Sequence, residues 1–133
     1  MEKIMNFLKE NPTFYFATVE DNKPRVRPFG FVMDYEGRLY FGIGKHKASY
    51  KQLLSNPNVE ISTANKEGKW IRIKGKAVFD ENKDALKKAF EILPSLKKMY
   101  NEETGMSLGL IYLEDIDAEL ADLMTGQFEK ITL

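Results

Sequence analysis

Lys69-Trp70-Ile71-Arg72-Ile73-Lys74-Gly75-Lys76-Ala77-Val78-Phe79 is the stretch on which the fold turns. Side chains on an extended strand alternate between two faces. Ile71, Ile73, Gly75, Ala77 and Phe79 therefore share one face, and Trp70, Arg72, Lys74 and Lys76 share the other. An apolar face backed by a charged one marks a strand with core on one side and water on the other. Just upstream, Val59, Ile61 and Thr63 alternate with Glu60 and Ser62, and the turn Asn65-Lys66-Glu67-Gly68 joins the two runs. So tight a connection makes an antiparallel pair, because a parallel pair needs a long crossover.

Working outward, the same signals recur. Thr13 to Val19 is rich in aromatic and β-branched residues, apolar on both faces, and ends at Glu20-Asp21-Asn22-Lys23-Pro24. Arg25 to Tyr35 reads as one long strand, the turn Tyr35-Glu36-Gly37-Arg38 closes it, and Leu39 to Ile43 returns beside it. Helical spacing places Ile4, Phe7 and Leu8 on one face before Asn11 and Pro12. From Lys47 to Ser55 it places Tyr50, Leu53 and Leu54 on one side, ahead of Asn56-Pro57-Asn58. Asp80 is suited to cap a helix that runs to Leu93, where Pro94 interrupts it, and a short helical stretch continues through Met99. Leu108 to Leu113 and Phe128 to Leu133 complete the strands. This order predicts a mainly β (α+β) fold: an antiparallel sheet closing on itself as a barrel, with peripheral helices, in one domain over residues 1–133.

Composition narrows the chemistry. The 133 residues are 43% apolar and 30% charged, enough for a genuine core. Twenty basic residues balance twenty acidic ones, which argues against a dedicated nucleic-acid or anionic-membrane binder. Without cysteine there is no disulfide, thiolate metal site or cysteine nucleophile, and the lone His46 makes a multi-histidine zinc site impossible. No metal site is expected. The opening MEKIMNFLKE has no apolar run long enough for a signal peptide or a membrane span, so a cytoplasmic location is expected. Neither GxGxxG nor GxxxxGK[ST] occurs. Glu102-Glu103 and the run Glu114-Asp115 with Asp117 fall in expected turns and read as solvated.

Three features point to a ligand. In Lys23-Pro24-Arg25-Val26-Arg27-Pro28-Phe29-Gly30-Phe31, alternation puts Arg25, Arg27, Phe29 and Phe31 on one face. Guanidinium forks match phosphate oxygens, and aromatic or backbone surface suits a flat ring. Pro28 has no N–H for a ladder, which places this strand at a sheet edge or a bulge. The plainer reading is two solvated arginines on a rim above two core phenylalanines. The second feature, Lys45-His46-Lys47-Ala48-Ser49-Tyr50-Lys51, falls where a strand meets a helix start. Free N–H groups there favour an anion, and the lysines oppose the helix dipole unless one is bound. Trp70, the only tryptophan, is the third: it lies on the polar face of its strand, as an interface or cofactor-contacting residue would.

Phe14-Tyr15-Phe16-Ala17-Thr18-Val19 followed by Pro24-Arg25-Val26-Arg27-Pro28-Phe29-Gly30 resembles the opening of the pyridoxamine 5′-phosphate oxidase-like flavoproteins, in particular their small branch that includes the nitroimidazole-resistance proteins. Lys47 with Lys51-Gln52-Leu53, the run Asn56-Pro57-Asn58-Val59-Glu60-Ile61-Ser62, Trp70-Ile71-Arg72 with Gly75, and Pro94-Ser95-Leu96-Lys97-Lys98-Met99-Tyr100 extend the resemblance in the same order. It implies a split β-barrel, a homodimer, and FMN in two equivalent clefts between subunits. It further implies that Arg25, Val26, Arg27 and Pro28 lie along the flavin and that Phe41 and Gly42 border it. Lys47, Ser49 and Lys51 would meet the phosphate, and Trp70 would touch the cofactor region. His46 falls near a position where some members carry a histidine beside the flavin.

The chain departs from the full vitamin B6 oxidases, which end in a Trp- and Arg-containing segment that holds their phosphorylated substrate; here the end reads Gly126-Gln127-Phe128-Glu129-Lys130-Ile131-Thr132-Leu133. The expectation is therefore an FMN-dependent oxidoreductase, not a true pyridoxamine-phosphate oxidase, passing electrons to a small aromatic or nitro-aromatic acceptor. No residue stands out as a general acid. The alternative is a non-catalytic flavin-binding or sensing module; haem, a deazaflavin or a purely structural dimerisation role are further readings of the same barrel.

Overall fold

In the computed structural model, which describes residues 1–133, eight strands and four helices follow the order α1 (Glu2–Glu10), β1 (Phe14–Glu20), β2 (Lys23–Phe29), β3 (Val32–Tyr35), β4 (Arg38–Gly44), α2 (Ala48–Ser55), β5 (Asn58–Ala64), β6 (Lys69–Asp80), α3 (Lys83–Ile92), α4 (Leu96–Met99), β7 (Leu108–Asp122) and β8 (Phe128–Ile131). The sheet runs β2-β1-β5-β6-β7-β4-β3, with β8 added to β7, and every pairing is antiparallel. Two-residue turns close the β1–β2 and β3–β4 hairpins through Asp21-Asn22 and Glu36-Gly37, all four at positive φ. Such turns carry the twist that hairpin strands need.

Aromatic contacts show that the sheet curls. β1 and β4 are separated along the sheet by β5, β6 and β7, yet Phe41 of β4 meets Phe14 and Phe16 of β1 at ring-centroid distances of 5.7 and 5.4 Å. The barrel interior is filled by these rings with Ile61, Ile71, Ile73 and Ile111, and α1 covers it with Ile4, Phe7 and Leu8. A second core lies on the outer side of β4 and β7, where Met33, Tyr40, Leu108 and Leu110 are covered by α3, α4 and Tyr100. The small Ala85 and Ala89, fully buried, let α3 approach closely.

Five sequence expectations need correction. The stretch from Arg25 to Tyr35 is not one strand: it breaks at Gly30-Phe31, so β2 lies at one edge of the sheet and β3 at the other. Phe31 therefore joins the second core, while Phe29 stacks on Phe16 in the first. The strand expected at Leu108–Leu113 continues to Asp122, and the acidic run Glu114–Asp117 lies within it. Asp80 does not cap α3; Asn82 does, its Oδ1 accepting from the amides of Asp84 and Ala85. Leu54 is exposed, and α2 buries Ser49, Gln52 and Leu53 instead. The last strand is also shorter than expected, stopping at Ile131.

β6 and β7 pair along nearly their whole length with one register shift between Lys74 and Lys76. Gly75 sits in that irregularity, where a Cβ would lie 3.1 Å from the Glu114 carbonyl oxygen, so backbone approaches where a side chain has no room. Further along, the Tyr40 hydroxyl donates to Asp80 Oδ2 at 2.6 Å and ties β4 to the end of β6. Burial first, and then that hydrogen bond, push the Tyr40 phenol up to about 12 from an ordinary 10. A raised folded-state value means that stability is full below the unfolded value and falls as the proton leaves. Wild-type urea midpoints should therefore drop more steeply between about pH 10 and 12 than those of Tyr40→Phe, which has no phenol to ionise there. Parallel curves over that window would show that the phenol is not held this way.

Candidate functional site

Edge strand β2 tolerates Pro24 and Pro28 because its outer side needs no ladder donors. Its register with β1 sets Arg27 opposite Phe16 and Arg25 opposite Thr18, so both arginines share the inward-facing side of those residues. Val26 and Pro28 take the outer side with Ala17 and Tyr15. Arg27 Nη1 donates to the Phe16 carbonyl oxygen at 3.1 Å and to Thr18 Oγ1 at 2.9 Å, and Nη2 donates to Gln52 Oε1 at 2.8 Å. The Thr18 hydroxyl also donates to Gln52 Oε1. Gln52 Nε2 in turn reaches Glu20 Oε2 at 3.4 Å, and Arg25 Nε donates to Glu20 Oε1 at 3.2 Å. This network joins the β1–β2 hairpin to α2.

The two arginines differ in one respect. Arg25 is exposed and paired with a carboxylate. Arg27 is half-buried, and all three of its acceptors are neutral; no carboxylate pairs with it. Burial lowers its pKa, the sign of a cation short of compensation, although a guanidinium stays charged at any ordinary pH. Two of its five N–H groups, including that on Nε, remain free to meet an anion.

Helix α2 supplies the adjoining donors. Its N-cap Lys47 has no side-chain oxygen to accept from the first turn, and the amides of Ala48 and Ser49 make no hydrogen bond within the chain. Ser49 is buried one turn before Gln52, on the same face, while Lys47 and Lys51 are exposed to either side. Free amides, a hydroxyl, lysines and an unpaired guanidinium form the donor set that a phosphate monoester takes. The residues present thus fit the phosphate end of FMN.

The side chain of Phe41 and the position of Gly42 face the two cores. The Phe41 ring is fully buried in the barrel against Phe14 and Phe16, so its side chain belongs to the core. Gly42 faces the second core, where a Cβ would lie 3.1 Å from Leu108 Cδ1. Trp70 lies on the outer face of β6 with the Arg72 guanidinium 4.7 Å from its ring, and Arg72 is itself held by Glu60 and Glu119 at 3.1 Å each. β6 stands three strand spacings from β2, about 14 Å. Trp70 is also level with Ala64, at the far end of β5 from Glu60, which Ala17 faces. Within one chain, Trp70 does not reach Arg25 or Arg27.

Gln52 is the site residue that the sequence reading overlooked. Its signal was present in the helical spacing of residues 49, 52 and 53, but an apolar-face argument selects Tyr50, Leu53 and Leu54 instead. His46 is exposed beside Gly44, its ring centroid 6.5 Å from that of Tyr100.

Comparison with known proteins decides the family. Residues 1–111 match the family described as pyridoxamine 5′-phosphate oxidase. The chain belongs to that family. Among solved structures, this pyridoxamine 5′-phosphate oxidase-family chain is similar to a NimC/NimA family protein of Clostridium acetobutylicum, with 40% identity, coverage of 100% of this chain and 92% of that one, and a TM-score of 0.90. That match places it in the small nitroimidazole-resistance-like branch of the split barrels. A pyridoxamine 5′-phosphate oxidase-related, FMN-binding protein of Nostoc punctiforme shares 16% identity over 99% of this chain and 96% of its own, with a TM-score of 0.69. A FAD-binding protein of Mesorhizobium loti shares 15% identity over 91% of this chain and 94% of its own, with a TM-score of 0.63. These last two share the fold with this chain. No curated protein matches it. No helix is long and apolar enough to cross a membrane.

Proposed function

We propose that this chain is one FMN-binding split-barrel domain over residues 1–133, acting in the cytoplasm as a homodimeric oxidoreductase that passes electrons to a small aromatic or nitro-aromatic acceptor. The observation that carries the reading is Arg27, a half-buried cation held by neutral oxygens beside the uncapped start of α2. A dianionic phosphate offsets that charge. Arg27 and the α2 amides hold the phosphate, Ser49 donates its hydroxyl, and Lys47 and Lys51 add charge at the rim. The β2 edge at Arg25–Pro28 lies along the ring.

The outer face supports a second subunit. Tyr15 is 50% and Val26 68% exposed, and with Pro24, Pro28 and Ala17 they form an apolar strip unusual for a solvated sheet. A two-fold partner laid on this face buries the strip and brings its own Trp70 towards the β2 edge, a meeting that one chain does not allow. When bound, FMN supplies the hydride chemistry. The chain's part is to bind, orient and exclude water.

Titration with FMN, followed by gel filtration and a visible spectrum, tests the reading. A retained two-banded flavin spectrum, stoichiometric with the chain and eluting as a dimer, is expected. A colourless protein after the column sinks it. Retained flavin without turnover, using NADH or NADPH and a panel of nitroaromatic and quinone acceptors, leaves the binding module and removes the oxidoreductase.

A further inference from the structure

Net neutrality hides an uneven distribution of charge. The acidic stretch of β7 is compensated within the sheet, where Glu114, Asp117 and Glu119 stand opposite Lys76, Lys74 and Arg72. No such compensation covers α3 and α4. Residues 83–98 hold five lysines against two acids, all of them exposed, and none of these lysines enters an ion pair. Asp84 and Glu91 stand one helical turn from Lys88 and Lys87, yet neither pair closes.

Apolar surface lies among these charges. Lys83, Lys87 and Lys97 line one shallow cavity with Leu86 and Phe90, and Lys97 Nζ lies 5.9 Å from the Phe90 ring centroid. Where α3 ends, Ile92 is 47% and Leu93 37% exposed, and Met99 at the end of α4 is 50% exposed. Lysines around a small apolar centre suit a weakly bound acidic protein: the charges steer and orient it, and the apolar contact is too small to hold it for long. The rest of the chain carries the balancing negative charge. An extended polyanion or a broad anionic membrane therefore gains less from this molecule than a compact partner that touches the patch alone.

The patch also adjoins the candidate flavin site. Tyr100 follows Met99, and its ring centroid lies 6.5 Å from that of His46, which leads through Lys47 into α2. An oxidoreductase must be reduced before it passes electrons on, and small, transient interfaces are characteristic of electron-transfer encounters. We infer that α3 and α4 form the docking surface for an acidic electron-carrier protein that reduces the bound flavin. The inference rests on the flavin reading above. Each encounter moves one electron from the carrier, which is oxidised, to FMN; two encounters and two protons from solvent complete one reduction.

The test is a titration of the flavin-free full chain with an acidic [4Fe–4S] ferredoxin, followed by amide signals. Docking with a Kd below about 100 μM is expected at about 0.01 M ionic strength, weakened at least about ten-fold at about 0.15 M. The perturbed amides should centre on residues 83–99. Lys87→Glu/Lys97→Glu should weaken docking at least about ten-fold while leaving the urea midpoint and FMN affinity where they were. Lys9→Glu/Lys66→Glu makes the same change in net charge at exposed positions of α1 and the β5–β6 turn, and should weaken docking less than about two-fold. In the FMN-loaded chain, reduced ferredoxin should bleach the flavin, more slowly in the Lys87→Glu/Lys97→Glu variant than in the wild type. Absence of salt-sensitive docking overturns the inference, as do equal losses in the two double variants, or capture by phosphatidylglycerol vesicles and not by ferredoxin. FMN retained without docking overturns this inference and leaves the flavin reading standing. Docking by a chain that retains no FMN overturns the electron-carrier role together with that reading.

Discussion

Phe41→Ala should remove about 3–5 kcal/mol of stability, the loss found when a fully buried phenylalanine is cut back to a methyl. Against a total of roughly 5–15 kcal/mol for a domain of this kind, that leaves a marginal protein. The expectation rests on where the ring sits. Phe41 is fully buried and packs edge-on against Phe14 and Phe16, from a strand separated from theirs by three others along the sheet. Alanine there opens a cavity at the point where the two halves of the barrel meet, and neighbours on separate strands cannot collapse into it together. Urea unfolding of the flavin-free protein measures the loss. Val26→Ala, on the exposed outer face, is the control and should move the midpoint little in a monomeric sample. A cost below about 1 kcal/mol for Phe41→Ala would mean that the sheet does not close over that ring. The same experiment separates core from cofactor at this residue, because a side chain whose work is to touch a flavin costs nothing in the protein without it.

How much of this was legible depended on whether a segment's pattern was complete within itself. β5, β6 and the β3–β4 hairpin carry their own alternation and turn residues, and α1 its own apolar face; these stand where the sequence put them. The second half of β7 carries no such pattern. Glu114 and Asp117 look like part of a solvated turn until β6 is set beside them, when they fall opposite Lys76 and Lys74, with Glu119 beyond them opposite Arg72. The charged face of each strand is explained by the other, and cross-strand partners are invisible to a window that moves along one segment. The break at Gly30 was hidden for a related reason. Pro28 and Gly30 are local signals that an edge or a bulge explains equally well, but β2 and β3 belong to opposite edges of one curled sheet, and the chain must leave the first to reach the second. The sequence points to a cap at Asp80, two positions before the real one, because Asp80 and Asn82 are both good caps. Asp80 is instead drawn off by the Tyr40 hydroxyl across the second core.

The site was legible in its charges and not in its wiring. Arg25, Arg27, Lys47 and Lys51 were readable as an anion-seeking set, and the β1–β2 register with the placement of α2 brings Arg27 against that helix. What no periodicity shows is which arginine is spent. Glu20 neutralises Arg25 across the hairpin, and Gln52, a neutral residue, holds Arg27 without neutralising it. A glutamate at 52 would have filled the same space and removed the uncompensated charge on which the phosphate reading depends.

Arg27→Ala should therefore weaken FMN binding by one to two orders of magnitude, roughly the 1.5–3 kcal/mol carried by hydrogen bonds to a charged group. Arg25→Ala should do less, since its guanidinium is exposed and already shared with Glu20. Arg27→Lys keeps the charge but not the fork that holds Phe16, Thr18 and an anion together, and should fall between the wild type and alanine. Because Arg27 also ties β2 to α2, a loss of FMN affinity alone does not separate binding from structure. Riboflavin does. It has the same ring and no phosphate, so Arg27→Ala should leave riboflavin affinity where it was while FMN affinity drops towards it. Equal losses for both ligands would make Arg27 a brace for the hairpin and move the phosphate elsewhere. Unchanged FMN affinity would remove Arg27 from the site altogether, and with it the observation on which the flavin reading rests.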